Sequence, residues 1–208
     1  MADRARDPEV QQLVDRQAIA DVVLRYCRGI DRLDLELVRS CYHADATDDH
    51  GTFTGTRDEY VDWVAGVLAR FTGTMHVVAN QLIEVDGDDA RSETYGVAYH
   101  WGEPLDDHRH NFTTGFRYVD RFARRDSEWR ISRRVAVREW THVVPAEQQW
   151  VIPPERDGRR GHRDRTDALY DVSPSPASAR SVPAADAGRS PASPDRGDRV
   201  SDEGAAAE

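Results

Sequence analysis

Apolar residues at Val10, Leu13, Val14, Val22, Val23, Tyr26, Cys27 and Ile30 recur at intervals of three, four and their sums, the spacing that lines one face of an α-helix. Gly29 supplies a stop signal for it. A shorter helical pattern follows at Leu35, Val38 and Cys41, with Asp34 as its N-cap. A third helix starts at Thr56, whose capping box closes with Glu59, and runs through Tyr60, Val64, Val67, Leu68 and Phe71. From Thr74 onward the period drops to two, which predicts strands over 74–85, 91–102, 111–123 and 129–143. The junctions at Asp86-Gly87-Asp88-Asp89 and Arg124-Arg125-Asp126-Ser127-Glu128 read as hairpins. Helices followed by long antiparallel strands predict an α+β domain in which the sheet curls over the N-terminal helices.

Composition then limits where that domain ends. From Asp171 to Glu208 there is no Leu, Ile, Phe, Trp, Tyr, Met or Cys, and such a segment cannot bury enough apolar surface to offset its ordering entropy. The expected division is a folded domain over 1–146 and, over 147–208, an extension followed by a disordered tail rich in Pro, Ser, Ala, Arg and Asp. The chain of 208 residues carries a net charge of −10, and all 28 of its basic residues are Arg. Without lysine there is no Schiff-base or Walker-loop chemistry. The acidic balance argues against nucleic acid as a partner. No stretch approaches the roughly 18 apolar residues of a membrane span, and neither a secretory leader nor a CxxC pair is present. The expectation is a cytoplasmic protein with reduced thiols at Cys27 and Cys41, no membrane partner and no cofactor.

Four residue types then draw attention as chemistry. Asp31 lies just past the first helix, and it shares a space with Tyr26 under the sheet only if the helix ends at Gly29, because five residues on an unbroken helix rotate by about 140°. The bland alternative is that Asp31 caps the next helix. His76 sits in Thr74-Met75-His76-Val77-Val78-Ala79-Asn80, and strict alternation places His76, Val78, Asn80 and Leu82 on one face. An aspartate accepting from one imidazole nitrogen would leave the other as a base near neutral pH. Arg134 alternates with Ala136, Arg138 and Trp140, opposite Ile131, Val135 and Val137. Turned inward it would hold a developing oxyanion, and turned outward it is a solvated charge. His100 joins the face of His76 only if the first hairpin has an odd register; a two-residue Gly87-Asp88 loop sets His76 against Tyr99 instead. The clusters Asp45/Asp48/Asp49/His50 and His108/His110 match no zinc signature, so no metal is expected; the first reads as a turn or strand edge and the second as a solvated loop.

The stretches Arg25–Asp34, Tyr42–Gly51, His76–Asn80, Asp86–Asp88, Gly115–Asp120 and Trp129–Ile131, in that order, resemble the SnoaL-like members of the nuclear-transport-factor-2-like superfamily, also called cystatin-like. The resemblance covers about Val10 to Trp140 and implies a cone-shaped roll of N-terminal helices packed in a curved mixed or antiparallel sheet, with a pocket between sheet and helices. Within that superfamily scytalone dehydratase, lindane dehydrochlorinase and the bile-acid dehydratase use a His–Asp dyad, which implies His76 as base and Asp31 as its partner. It also implies Tyr26 and Arg134 as accessory groups. Lindane dehydrochlorinase carries Lys at the Tyr26 position, so dehalogenation is not favoured.

The resulting expectation is a cofactor-independent lyase or isomerase, dehydratase-like, acting on a small apolar ring compound of steroid or polyketide type. Its catalytic residues would be His76, Asp31, Tyr26 and Arg134. Its substrate walls would be Phe53, Trp63, Val78, Asn80, Leu82, His100, Phe112, Phe116 and Trp140. The alternatives are a non-catalytic binding or oligomerisation module, or a polyketide cyclase, on the same fold. Val77, Ile83 and Val137 on the convex face suit a homodimer or homotrimer contact.

Overall fold

A computed structural model describes residues 7–102, 111–144, 158 and 160–172. Helix α1 (Pro8–Arg32) is followed by α2 (Leu35–Ser40), strands β1 (Tyr42–Asp49) and β2 (Thr54–Thr56), and helix α3 (Arg57–Leu68). Four long strands come next: β3 (Gly73–Asp86), β4 (Asp89–Trp101), β5 (Asn111–Arg125) and β6 (Glu128–Val144). A short α4 (Ala168–Val172) ends the described chain. The strands form one sheet in the order β2-β1-β6-β5-β4-β3, antiparallel throughout except for the parallel β1–β6 pair. This is the α+β arrangement of a nuclear-transport-factor-2-like fold.

Local chemistry sets the helix ends. Asp7 accepts from the Glu9 amide (2.9 Å) to open α1, with Pro8 in the first turn. Gly29 does not stop α1. The helix runs on to Arg32 and closes in a Schellman arrangement, Leu33 N–H to Ile30 O and Asp34 N–H to Gly29 O, with Leu33 in the left-handed region at φ 54°. The glycine serves packing instead, since a Cβ there would meet Val38 Cγ2 at 2.7 Å. Asp34 caps α2 through the Leu37 amide (3.0 Å), and the Thr56–Glu59 capping box on α3 is complete.

One face of α1 (Ile19, Val22, Val23, Tyr26) and one of α3 (Tyr60, Val64, Leu68) are buried against Phe116, Tyr118, Phe122 and Ile131 of the sheet. Each large apolar side chain so buried contributes about 1.5–3 kcal/mol.

Strand alternation is interrupted by bulges, and these redirect several side chains. Between Val78 and Gln81 the β3–β4 register slips by one, from Gln81↔Thr94 to Val78↔Gly96. His76 and Val78 therefore face the helices, whereas Asn80 and Leu82 turn out to solvent and Ile83 turns in. This corrects the expected placement of Asn80 and Leu82 on the pocket face and of Ile83 on the convex face. A second slip between Arg121 and Phe122 puts Ile131 and Arg134 on the same inner face, and a third at Gly115/Phe116 swings Trp140 outward over Gly115.

Within the stretch expected to be an extension, the described residues 160–172 bond to the body through Arg163 and Asp167. Arg32 lies 3.9 Å from Asp167, whose carboxylate also accepts from the His162 and Leu169 amides. The expectations for His108 and His110, for residues 145–157 and for the tail from 173 onward lie outside the described residues.

Candidate functional site

Asp31 sits in the last turn of α1, where the negative end of the helix dipole works against a carboxylate. Strand β3 compensates. Thr74 Oγ1 donates to Asp31 Oδ1 (2.9 Å), the His76 amide donates to Oδ2 (2.8 Å), and His76 Nδ1 lies 2.7 Å from Oδ1. The carboxylate is thus fixed by three contacts from two residues across 45 positions of sequence. Ionised Asp31 has only lone pairs to offer, so the hydrogen-bonding proton sits on Nδ1, and in the neutral ring Nε2 then carries the lone pair. The His76 and Asp31 side chains are 8% and 12% exposed, which removes them from bulk water without sealing them off.

His76 forms part of the wall of a cavity of about 550 Å³ between the sheet and α3. Trp63, His100, Phe112, Phe116 and Tyr118 supply most of the remaining aromatic surface, with Arg70 and Arg138 also on the wall. Of the predicted substrate walls, Trp63, His100, Phe112 and Phe116 are there. Phe53 stacks behind Trp63 at 5.2 Å, and Val78 packs into the core. Asn80, Leu82 and Trp140 face solvent on the opposite side of the sheet, for the bulge reasons given above. A groove of about 570 Å³ on that outer face is lined largely by ion-paired Glu84, Arg91, Glu93 and Arg117 and by no imidazole.

The bulge in β3 also settles the position of His100. The turn is the two-residue Gly87-Asp88 loop, yet the later slip pairs His76 with Ala98 and brings His100 to the same face, with the two rings 6.1 Å apart. His100 stacks on Phe112 at 4.3 Å, and its Nδ1 has no hydrogen-bond partner among the described residues. Burial, and next the neighbouring His76, pull its pKa down to about 4 from an ordinary 6.5. Because the folded-state value is the lower one, the unfolded chain takes up a proton first as the pH falls. Stability is unaffected by this group above pH 6.5 and is lost between pH 6.5 and about 4. Replacing His100 by Phe is expected to flatten urea-derived stability over that window by about 2 kcal/mol; an unchanged slope would show that the ring is not held neutral.

Tyr26 and Arg134 are placed differently from the expectation. With α1 unbroken, Tyr26 diverges from Asp31 and bonds the Tyr60 hydroxyl inside the core. Arg134 exposes none of its surface and Tyr26 exposes 1%, so neither presents atoms to the cavity. Arg134 instead makes a bidentate pair with Asp120 (2.8 and 2.7 Å) and packs against the Tyr26 and Tyr118 rings at 4.2 and 3.9 Å. Burial opposes its charge, but the facing Asp120 outweighs this and raises the Arg134 pKa.

Two groups were not anticipated. His50, in the loop after β1, lines the same cavity and places Nδ1 3.0 Å from Asp48 Oδ1. The sequence signal is an Asp-x-His at a strand end, hidden because Asp48 is an inward-facing acid that breaks the apolar alternation of β1. The other is Arg163, which nothing in the sequence marked. Its guanidinium donates to the backbone oxygens of Asp31 (3.3 Å), Leu68 (3.1 Å) and Phe71 (2.9 Å), and to Thr74 Oγ1 (3.3 Å). Arg163→Ala is expected to cost about 1.5–3 kcal/mol in melting or urea experiments, whereas the exposed neighbour Arg165 is expected to be nearly neutral. Equal effects would contradict the clamp.

Cys27 and Cys41 are buried free thiols. Burial pushes Cys27 up to about 12, so it is not a nucleophile at neutral pH. Among the described residues no group of three or more His, Cys, Asp or Glu is placed to hold a metal, and no helix is long and apolar enough to cross a membrane.

Comparison with known proteins agrees with this architecture. Protein Rv2910c of Mycobacterium tuberculosis is 28% identical over 129 residues, 61% of this chain and 86% of its own. Among solved structures, hexachlorocyclohexane dehydrochlorinase LinA-type3 from Novosphingobium barchaimii superposes with a TM-score of 0.62 at 21% identity, over 70% of this chain and 99% of its own. A protein assigned as a scytalone dehydratase from Novosphingobium aromaticivorans gives 0.58 at 23% identity, over 72% and 97%. At these identities the structures show a shared fold. The SnoaL-like domain model matches residues 11–135, and the chain therefore belongs to the SnoaL-like family of the nuclear-transport-factor-2-like superfamily.

Proposed function

We propose that this protein is a cofactor-independent lyase or isomerase, dehydratase-like, that moves a proton on a small, largely apolar ring compound of steroid or polyketide type. The observation that carries the reading is the Asp31–His76 pair, with Nδ1 engaged, Nε2 without a partner among the described residues, and the ring on the wall of an aromatic cavity. In this reading Nε2 takes a proton from a carbon next to a carbonyl. The imidazolium that forms is balanced by Asp31, which acts as a positioning residue. Neutral His100 polarises the carbonyl as a hydrogen-bond donor. Trp63, Phe112 and Phe116 keep water away from the reacting carbon. Tyr26 and Arg134 support the floor beneath, without touching substrate. Two of the similar structures carry the names of eliminating enzymes, a dehydratase and a dehydrochlorinase, which agrees with loss of a leaving group. The exposed outer-face residues Met75, Val77, Tyr99 and Trp101 suit the dimer or trimer contact expected from the sequence.

The test is a panel of hydroxylated steroid and polyketide ring ketones, followed by the absorbance of the new conjugated double bond. Water loss by the wild type that disappears in His76→Ala supports the reading. Turnover that survives His76→Ala removes it.

A further inference from the structure

The cavity holds a second carboxylate–imidazole pair. Asp48, fully buried, accepts from the Tyr42 hydroxyl (2.6 Å) and meets His50 Nδ1 at 3.0 Å. The His50 ring stacks on Tyr60 at 5.1 Å and lies 6.3 Å from the Tyr118 ring. Tyr118 in turn packs on Phe116, which contacts His76. The two imidazoles thus line one chamber and are linked along its wall by the Tyr118 and Phe116 rings, and His50 Nε2 has no partner among the described residues.

Charge separates the two pairs. The buried cluster around Arg134 contains two carboxylates, Asp120 and Asp48, and one guanidinium. Arg134 is bound bidentately by Asp120, so among the described residues the only cationic partner of Asp48 is His50. An unpaired buried carboxylate is costly, and His50 Nδ1 is the group that meets this one from the cavity side. Asp31 differs in its surroundings: besides His76 it has the Arg163 guanidinium close by, bonded to its backbone oxygen and to Thr74 Oγ1.

We propose that His50, positioned by Asp48, is the second proton-transfer residue of this cavity and holds and protonates the oxygen that leaves the ring. The proposal rests on the elimination reading above. As His76 Nε2 takes the proton from carbon, the C–H pair becomes the new carbon–carbon double bond. The C–O bond breaks with its electrons going to oxygen, and that oxygen takes the proton from His50 Nε2 and departs as water. The chain is left with His76 protonated and His50 neutral, and proton exchange with solvent restores both. The substrate class narrows accordingly, to a β-hydroxy ring ketone whose acidic C–H is directed at His76 and whose hydroxyl is directed at His50.

The experiment uses the full chain with naphthoate as a stable mimic of the negatively charged leaving oxygen and naphthamide as its neutral counterpart. Naphthoate is expected to bind about tenfold more tightly than naphthamide and to move the ring-nitrogen NMR signals of His50. That preference is expected to vanish in His50→Phe and to survive in His76→Phe. If His50→Phe does not fold, His50→Gln, whose amide can still reach Asp48, carries the same comparison. An unmoved His50 signal, a preference kept without His50, or a larger loss in Arg138→Gln overturns the proposal, the last by assigning the anion to Arg138. A cavity that takes neither compound overturns the ring-binding reading itself, and this inference falls with it. For any substrate found in the panel, His50→Gln is expected to slow hydroxide loss about 30-fold but halide loss by less than about threefold, since halide needs no proton. Equal slowing of both contradicts proton donation.

Discussion

Replacing Asp120 by alanine is expected to lower the unfolding free energy by about 3–5 kcal/mol, a drop of about 10 °C or more in Tm for a domain of this size. The reason is the Arg134 guanidinium left behind. It exposes no surface, both of its carboxylate contacts come from Asp120, and its Nη1 already has no partner among the described residues. The adjacent Tyr26 and Tyr118 rings offer cation–π attraction of at most about 2 kcal/mol, which does not replace a bidentate carboxylate. The double variant Asp120→Leu with Arg134→Met removes both charges and is expected to recover most of the loss, because an apolar pair of similar volume avoids the desolvation of two ions. Thermal melts of the single and double variants decide the matter. A single variant within about 1 kcal/mol of wild type would mean that water reaches Arg134 after all.

His76→Ala is expected to reduce turnover by about 10³- to 10⁴-fold while Tm stays within a few degrees, since general-base catalysis contributes on this scale. Asp31→Asn is expected to lose activity as well, but less cleanly. An amide cannot accept from both the His76 amide and His76 Nδ1, so one of these donors meets an NH₂ group, and about 1–3 kcal/mol of stability goes with it. Measuring kcat beside circular dichroism separates the two effects. A His76→Ala protein that is unfolded would assign the pair to structure.

Both the helices and the core strands are legible from periodicity, because α1, α3 and β3–β6 each bury one face and leave the other wet. What alternation cannot carry is a bulge. One extra residue near Ala79 turns Asn80, Leu82 and Ile83 to the faces opposite to those expected, and the same slip brings His100 to the side of His76 despite the two-residue turn. Strand β1 escaped because its inward positions include an aspartate, and the α1 terminus because a leucine occupies the left-handed position where glycine is the usual signal. Asp31 and His76 were recognisable as residue types suited to a dyad and were paired through the family resemblance. Asp31 lies in the last turn of α1, which continues past Gly29 although that glycine reads as a stop signal. Arg163 had no sequence signal, since one arginine among 28 is indistinguishable until tertiary structure places carbonyl oxygens around it.

In the proposed mechanism Asp31 fixes the tautomer of His76 and leaves Nε2 as a base toward the cavity. Heteronuclear NMR of the histidine ring nitrogens tests it without any substrate, at about pH 9, where an ordinary imidazole is neutral. A protonated Nδ1 and a bare Nε2 are expected at His76, with the preference lost in Asp31→Asn. A proton found on Nε2 in the wild type would leave no base facing the cavity and would contradict it.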